Sequence, residues 1–195
     1  MKRSRRPSVP LRRRVFLGCE GRSERAYGVQ LRHLLEERCR IEKRGQNVDL
    51  DVVLLKPGGG DPLALVERTL RQIADSVRKG ERPYAVVALL LDADKLGQAP
   101  DRDTQMRKLA AAEKLKLIWQ DPCHEALLLR HLDGCRNLRP PTTQEAMLQL
   151  ERRWPEYTKG MPALQLGQRI DSRAVSQALQ VEPDLAAFLG DIGLG

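Results

Sequence analysis

The sequence predicts an α/β chain, a doubly wound parallel sheet flanked by helices, followed by a helical appendage. Three observations carry this. Short apolar, strand-length runs alternate with stretches of helical period from about residue 15 to residue 133. The most apolar run, Tyr84–Leu91, lacks alternation, as a central strand covered on both faces does. Beyond Pro140-Pro141 only helical patterning remains.

Taken in order, Val15–Cys19 is a short apolar run after a charged block and predicts a buried strand. Ser23 is placed to cap a helix whose apolar face is Val29, Leu31, Leu34, Leu35 and Cys39, with Gly45 as its end. Val48–Leu55 predicts the second strand, broken by Pro57-Gly58-Gly59-Gly60. Asp61-Pro62 has the cap-then-proline order that opens a helix, and Leu63, Val66, Leu70, Ile73 and Val77 form its apolar stripe up to Gly80. Tyr84–Leu91 is the third strand, closed by Asp92-Ala93-Asp94. Residues 95–102 predict a loop, 103–113 a helix, Leu115–Trp119 a short strand, and Pro122 starts another helix through Leu132. The appendage predicts helices near 142–152, 162–169 and 171–180, and the last fifteen residues carry little pattern.

The apolar share of 41% supports a real core, and no run is long enough to span a membrane. Only 4% of residues are aromatic, which argues against a surface built from base-stacking rings. The net charge of +8 is concentrated: Lys2, Arg3, Arg5, Arg6, Arg12, Arg13 and Arg14 precede any acid, and the remainder is almost neutral. Such a block is either a solubilising tail or a contact to a polyanion. The apolar run after it is too short for a secretion signal, and Cys19, Cys39, Cys123 and Cys135 form no CxxC pair, so the cytoplasm is the expected compartment.

In open α/β sheets ligands sit outside the carboxyl ends of the strands, where strand order reverses. Glu20 follows the first predicted strand, and Asp92 and Asp94 follow the third. A 2-1-3-4 order makes those strands neighbours ~4.8 Å apart, bringing the three acids together. Such oxygen ligands suit Mg²⁺ or Mn²⁺, and crowded carboxylates repel without a cation. Acids after strands are also ordinary turn and cap residues, so pattern alone leaves both readings open. Lys95, Arg22 and Lys56 are placed to contact phosphate or simply to sit in solvent. The triple glycine is either a phosphate nest or a flexible turn, and it lacks the Lys-Ser/Thr of a P-loop. Cys123, His124, His131 and Cys135 are zinc-type residues at a spacing that fits no ordinary finger.

Three elements resemble known ones. Cys19-Glu20-Gly21, closing an apolar strand, resembles the hhhxEG element of TOPRIM domains. Leu91–Gly97 resembles their hhhDxDxxG element, and Asp121-Pro122-Cys123-His124-Glu125 with the following Leu-rich turn and His131 is similar to the Asn-Pro-Cys-Phe-Glu signature of the RloB-like family. Asp121 replaces the usual Asn and His124 the usual Phe. Tyr157-Thr158-Lys159-Gly160 sits where that family has a Tyr-x-Lys. The resemblance spans about residues 14–133 and implies a TOPRIM-like (Rossmannoid) domain at 14–139; the charge block makes 1–13 a basic flexible arm, and the Pro140-Pro141 boundary makes 140–195 a helical appendage packed on the sheet domain or on a partner.

What the resemblance implies is a Mg²⁺-dependent (or Mn²⁺-dependent) nuclease, an antiphage effector working with an ABC-type or AAA-type ATPase on DNA or tRNA. Glu20, Asp92 and Asp94 would hold the metal, with Asp121 as a further ligand or a helix cap. Glu125 would be another acid of the site, and Lys95 would stabilise phosphate charge. Arg12, Arg13, Arg14, Arg22 and Lys56 would contact nucleic acid, and a homo-oligomer is compatible with all of this. The rival reading is a non-catalytic regulatory or assembly subunit docking on the ATPase. A phosphatase-like or receiver-like domain fits less well, because those place Asp at the end of the first strand, where this chain has Glu20.

Overall fold

The structure, a computed structural model, describes residues 11–43, 47–56 and 61–195. The element order is β1 (Arg13–Cys19), α1 (Arg22–Ile41), β2 (Val48–Leu54), α2 (Pro62–Arg78), β3 (Val86–Asp92), α3 (Pro100–Ala112), β4 (Lys116–Gln120), α4 (His124–His131), α5 (Thr143–Arg153), α6 (Ala163–Leu166), α7 (Ser172–Leu179) and α8 (Pro183–Ile192). The four strands are parallel and ordered β2-β1-β3-β4. The chain is thus an α/β protein of Rossmannoid kind, and the expected strand order is the one found. Residues 1–10 of the basic arm, Gly45, and the Pro57–Gly60 turn lie outside the described residues.

Alternation along β1 explains why both faces are covered. Val15, Leu17 and Cys19 point into a core shared with α1 and α4–α8, whereas Phe16 belongs to a second core with α2 and α3. The first core runs without a break from Leu17 and Leu31 to Trp154, Phe188 and Leu189. The helical appendage after 140 thus packs on the sheet domain and completes one of its helical layers. The last fifteen residues are also more ordered than expected. Pro183 opens α8, and Leu185, Phe188, Leu189 and Ile192, spaced on one helical face, are buried beside β4.

Among the described residues, side-chain caps start three helices; α1 is not one of them, since Gly21 is its N-cap and Ser23 lies inside the helix. Asp61 accepts a hydrogen bond from the Ala64 N–H at 2.8 Å, with Pro62 following it. Thr142 and Asp171 cap α5 and α7 in the same way. Two departures occur near 95–102: a single 3-10 turn spans Ala93–Lys95, and α3 starts at Pro100, earlier than the expected 103.

The basic arm needs a further correction. Arg13 opens β1, and Arg14 is locked between Asp51 at 2.8 Å and Glu81 at 2.9 Å while lying over the Tyr84 ring at 4.2 Å. Arg13 donates to the Asp191 carbonyl, and the Arg12 carbonyl accepts from Arg82. These residues sit at the amino end of β1, six rises or ~20 Å from the carboxyl end. Arg14 serves the fold and is not available to a ligand.

Helix α1 crosses β1 and β2 at Gly28. A Cβ there would stand 2.7 Å from Val52 Cγ1 and 3.0 Å from Leu17 Cδ2. Gly28→Ala is expected to destabilise the chain by ~1–3 kcal/mol through overpacking, read as a lower urea midpoint with an unchanged slope.

Candidate functional site: an acidic cleft at the strand ends

Parallel pairing in register, Cys19 opposite Leu90, sets the ends of β1 and β3 side by side. Glu20 follows Cys19 directly, and Asp92 is the last residue of β3. The 3-10 turn then carries Asp94 and Lys95, and the Asp94 N–H donates to the Pro122 carbonyl, tying that turn to the start of α4. Helix α4 brings in Glu125, which is 2% exposed. Together these groups line a cleft of about 470 Å³ that also takes Gly21, Arg22 and Glu24 from α1 and its cap, Thr143 from α5, and Lys159 and Gly160 from the α5–α6 connection.

The structure thus brings together Glu20, Asp92, Asp94, Lys95, Glu125 and Arg22. It does not bring in Asp121, which is exposed, lies off the cleft, and takes part through its carbonyl, an acceptor for Arg130 at 2.9 Å. Lys56 is exposed at the same end of the sheet but lines a different groove. Arg12, Arg13 and Arg14 are at the opposite end. Cys19, Cys123 and Cys135 are buried, the Cys123 thiol being pushed up to about 11 mainly by burial, in keeping with a small core residue.

Each acid has its own arrangement. The Lys95 ammonium donates to Glu20 Oε1 at 2.7 Å. Burial pulls that ammonium down, but the Glu20 hydrogen bond and the charges of Glu20, Asp94 and Asp92 hold it above its ordinary value. Thr143 Oγ1 donates to Asp94 Oδ2 at 3.2 Å. The buried Tyr157 hydroxyl donates to Glu125 Oε1 at 3.4 Å, and Lys159 Nζ lies 3.8 Å from the same oxygen. Asp92 differs: its Oδ1 is buried without a hydrogen-bond partner. Burial first, then the charges of Glu24, Glu20, Asp94 and Glu125, push its carboxyl up to about 8.

Glu24 is a residue that the sequence pattern did not single out. It lies in the first turn of α1, four residues after Glu20, is buried, and points back over its own helix start. A Cβ on Gly21 would meet Glu24 Oε2 at 2.7 Å, so the glycine after Glu20 makes room for the second carboxylate. The available signal is the Glu-Gly-x-x-Glu spacing. Tyr157 and Lys159 stand out in the sequence only through their Tyr-x-Lys likeness, and the fold gives them contacts to Glu125. Trp154 packs on Tyr157, and the Gly160 N–H donates to Ser23 Oγ at 2.9 Å, so this turn is pinned over the cleft.

The donor set suits a hard divalent cation in kind, and the orphaned Asp92 oxygen is a place for one. As the side chains stand, however, no group of three or more His, Cys, Asp or Glu among the described residues is set to hold a metal. The reason is visible: Lys95 occupies Glu20, and Thr143 and Tyr157 engage Asp94 and Glu125. No family model, curated protein or solved structure matches the chain.

The proton held on Asp92 has a consequence for stability. Its folded value of about 8 lies above the ordinary 3.8, so between those limits the folded chain binds a proton that the unfolded chain has released. Stability of the metal-free protein should fall as pH rises through that window. Asp92→Asn should remove this dependence, and urea unfolding in EDTA should show the variant gaining more over the parent at pH 8 than at pH 5.

Proposed function

We propose that this chain is a divalent-metal-dependent phosphodiesterase acting on nucleic acid, DNA or tRNA, with a TOPRIM-like centre of the kind the RloB-like resemblance implies. The observation that carries the reading is the gathering of five carboxylates, Glu20, Glu24, Asp92, Asp94 and Glu125, in one cleft rimmed by Arg22, Lys95 and Lys159. Acids with cations around them are what a phosphodiester site needs: negative groups to hold a metal, and positive groups to receive the phosphate.

Glu20, Asp92 and Asp94 would hold a Mg²⁺ or Mn²⁺ ion, and that ion supplies Lewis-acid polarisation of a phosphoryl oxygen. Everything else falls to the chain. Asp92 would hold the ion as a carboxylate, since a nearby cation offsets both the burial and the neighbouring charges that raise its pKa. Lys95 turns from Glu20 to the substrate, where its ammonium stabilises charge on the phosphate oxygens. Lys159, 70% exposed at its side chain on a pinned turn, offers a second such charge from the α5–α6 connection. Tyr157 keeps Glu125 in one orientation. In an antiphage setting the partner would be an ABC-type or AAA-type ATPase.

A second reading has its own support. The Glu20–Lys95 pair already neutralises part of the cleft without any metal. On that reading the Glu20–Lys95 pair serves the fold, any ion among the acids is structural, and the chain is a regulatory or assembly subunit that docks on the ATPase.

One pair of measurements separates them. Calorimetric titration with Mn²⁺ should show saturable binding that Asp92→Asn abolishes. Glu20→Gln should lower cleavage by at least about 100-fold while leaving nucleic-acid binding intact. If Mn²⁺ does not bind and Glu20→Gln instead lowers thermal stability or complex assembly, the subunit reading stands.

A further inference from the structure

A second groove lies along α2 beside β2, an edge strand of the sheet. It encloses about 390 Å³, and its charged lining is Lys56, Arg68, Arg71 and Lys79 against Asp75 and Glu81. Both acids are already paired with cations that do not line the groove, so the four lining cations outnumber them. Arg78 pairs with Asp75, and Arg14 pairs with Glu81 at 2.9 Å while Ser76 donates to the same Glu81 oxygen. Arg71 reaches Glu67 only at 3.9 Å, with its side chain 73% exposed. The groove therefore presents a surplus of positive charge to whatever lies in it.

That charge is extended, not focused. Arg68 and Lys79 are eleven residues apart on one face of the helix, ~16 Å along its axis. A compact anion would meet one or two of these cations, whereas a chain of phosphates meets them in succession. The upper end of the groove is Lys56, two residues beyond Leu54, and Leu54 is in register with Cys19. Lys56 and Glu20 are thus at the same end of the sheet.

We propose that the α2 groove is a track for the phosphodiester backbone of nucleic acid, leading along the β2 edge toward the acidic cleft. The inference deepens the proposed nucleic-acid function and rests on it for where the strand leads. Arg14 is not part of this track, since it is held by Asp51 and Glu81.

The test is fluorescence anisotropy with labelled duplex DNA, single-stranded DNA and single-stranded RNA, in EDTA so that nothing is cut, over about 50–200 mM salt. Arg68→Gln/Arg71→Gln/Lys79→Gln should flatten the plot of log affinity against log salt. The slope should drop by about 0.9 for each phosphate no longer neutralised on duplex, or about 0.7 on a single strand. The nucleic acid that loses the most phosphate contacts, counted as slope change divided by about 0.9 or about 0.7 accordingly, is the one the groove takes. Arg153→Gln/Arg169→Gln/Arg173→Gln removes the same charge from another face and should leave the slope as it was. Lys56→Gln/Lys79→Gln, both exposed and outside the helix body, serves if the triple variant melts early by circular dichroism.

An unchanged slope in the α2 variants, equal flattening in both triple variants, or no binding of any nucleic acid would overturn the track. Binding that depends on α2 in a chain that cuts nothing with Mg²⁺ or Mn²⁺ would keep the track and remove the phosphodiesterase. Cleavage with an α2-independent salt slope would do the reverse.

Discussion

Mutual repulsion among carboxylates at two adjoining strand ends is the constraint around which the chain is arranged. Parallel order β2-β1-β3-β4 leaves no alternative placement: Glu20 and Asp92 end neighbouring strands. Glu24 and Glu125 add their charge from helices whose first turns face the same point. Without compensation the cluster would be strongly unfavourable. The structure compensates in three different ways, with an ammonium on Glu20, hydroxyl donors on Asp94 and Glu125, and a proton on Asp92. A bound cation would be a fourth way, and the others would then have to give.

The helices after residue 140 are part of this arrangement. Thr143, Tyr157 and Lys159 come from the second half of the chain and touch acids from the first half. Their own placement depends on α4. Arg130 on α4 is 1% exposed and paired with Glu182 just before α8, and its carbonyl and that of Leu132 accept from Gln177 on α7. A buried ion pair adds little net stability over an apolar replacement, but losing one partner leaves a costly buried charge. Such a pair therefore discriminates strongly between correct and incorrect docking of α4 against the later helices. Tyr27 does similar work from α1. His131 Nδ1 faces the Leu127 carbonyl at 2.9 Å, which makes it a donor and leaves Nε2 to accept from the Tyr27 hydroxyl at 3.0 Å. Burial holds this imidazole near 4, so it stays neutral.

Two kinds of information are written locally and can be read without a structure. Strand-length apolar runs, cap residues such as Asp61 and the turn acids of Asp92-Ala93-Asp94 depend on neighbours within a few residues. Such short-range terms settle element type, and the alternation of elements then restricts topology to very few orders. The candidate acids Glu20, Asp92 and Asp94 are legible for that reason. Glu24 is equally local, but its spacing from Glu20 is also ordinary helix spacing and does not stand out. The buried face of α8 is likewise present as a pattern, Leu185, Phe188, Leu189 and Ile192, in a segment whose glycines and short length obscure it.

Other features depend on contacts between distant residues. Seven arginines and lysines before residue 15 make a coherent basic block in composition, yet Arg14 is a structural cation, because Asp51 and Glu81 reach it from far along the chain. Asp121 looks like a ligand or a cap from its place in the signature near the proposed site, yet its side chain is exposed and lies outside the cleft. The pairing of Glu20 with Lys95, the closure of the cleft by Lys159 and Tyr157, and the proton on Asp92 all require three dimensions. Periodicity and capping are properties of a few adjacent residues, so a sequence carries them openly. Charge partners and burial are properties of neighbours that only long-range packing supplies, and they decide what each of those residues does.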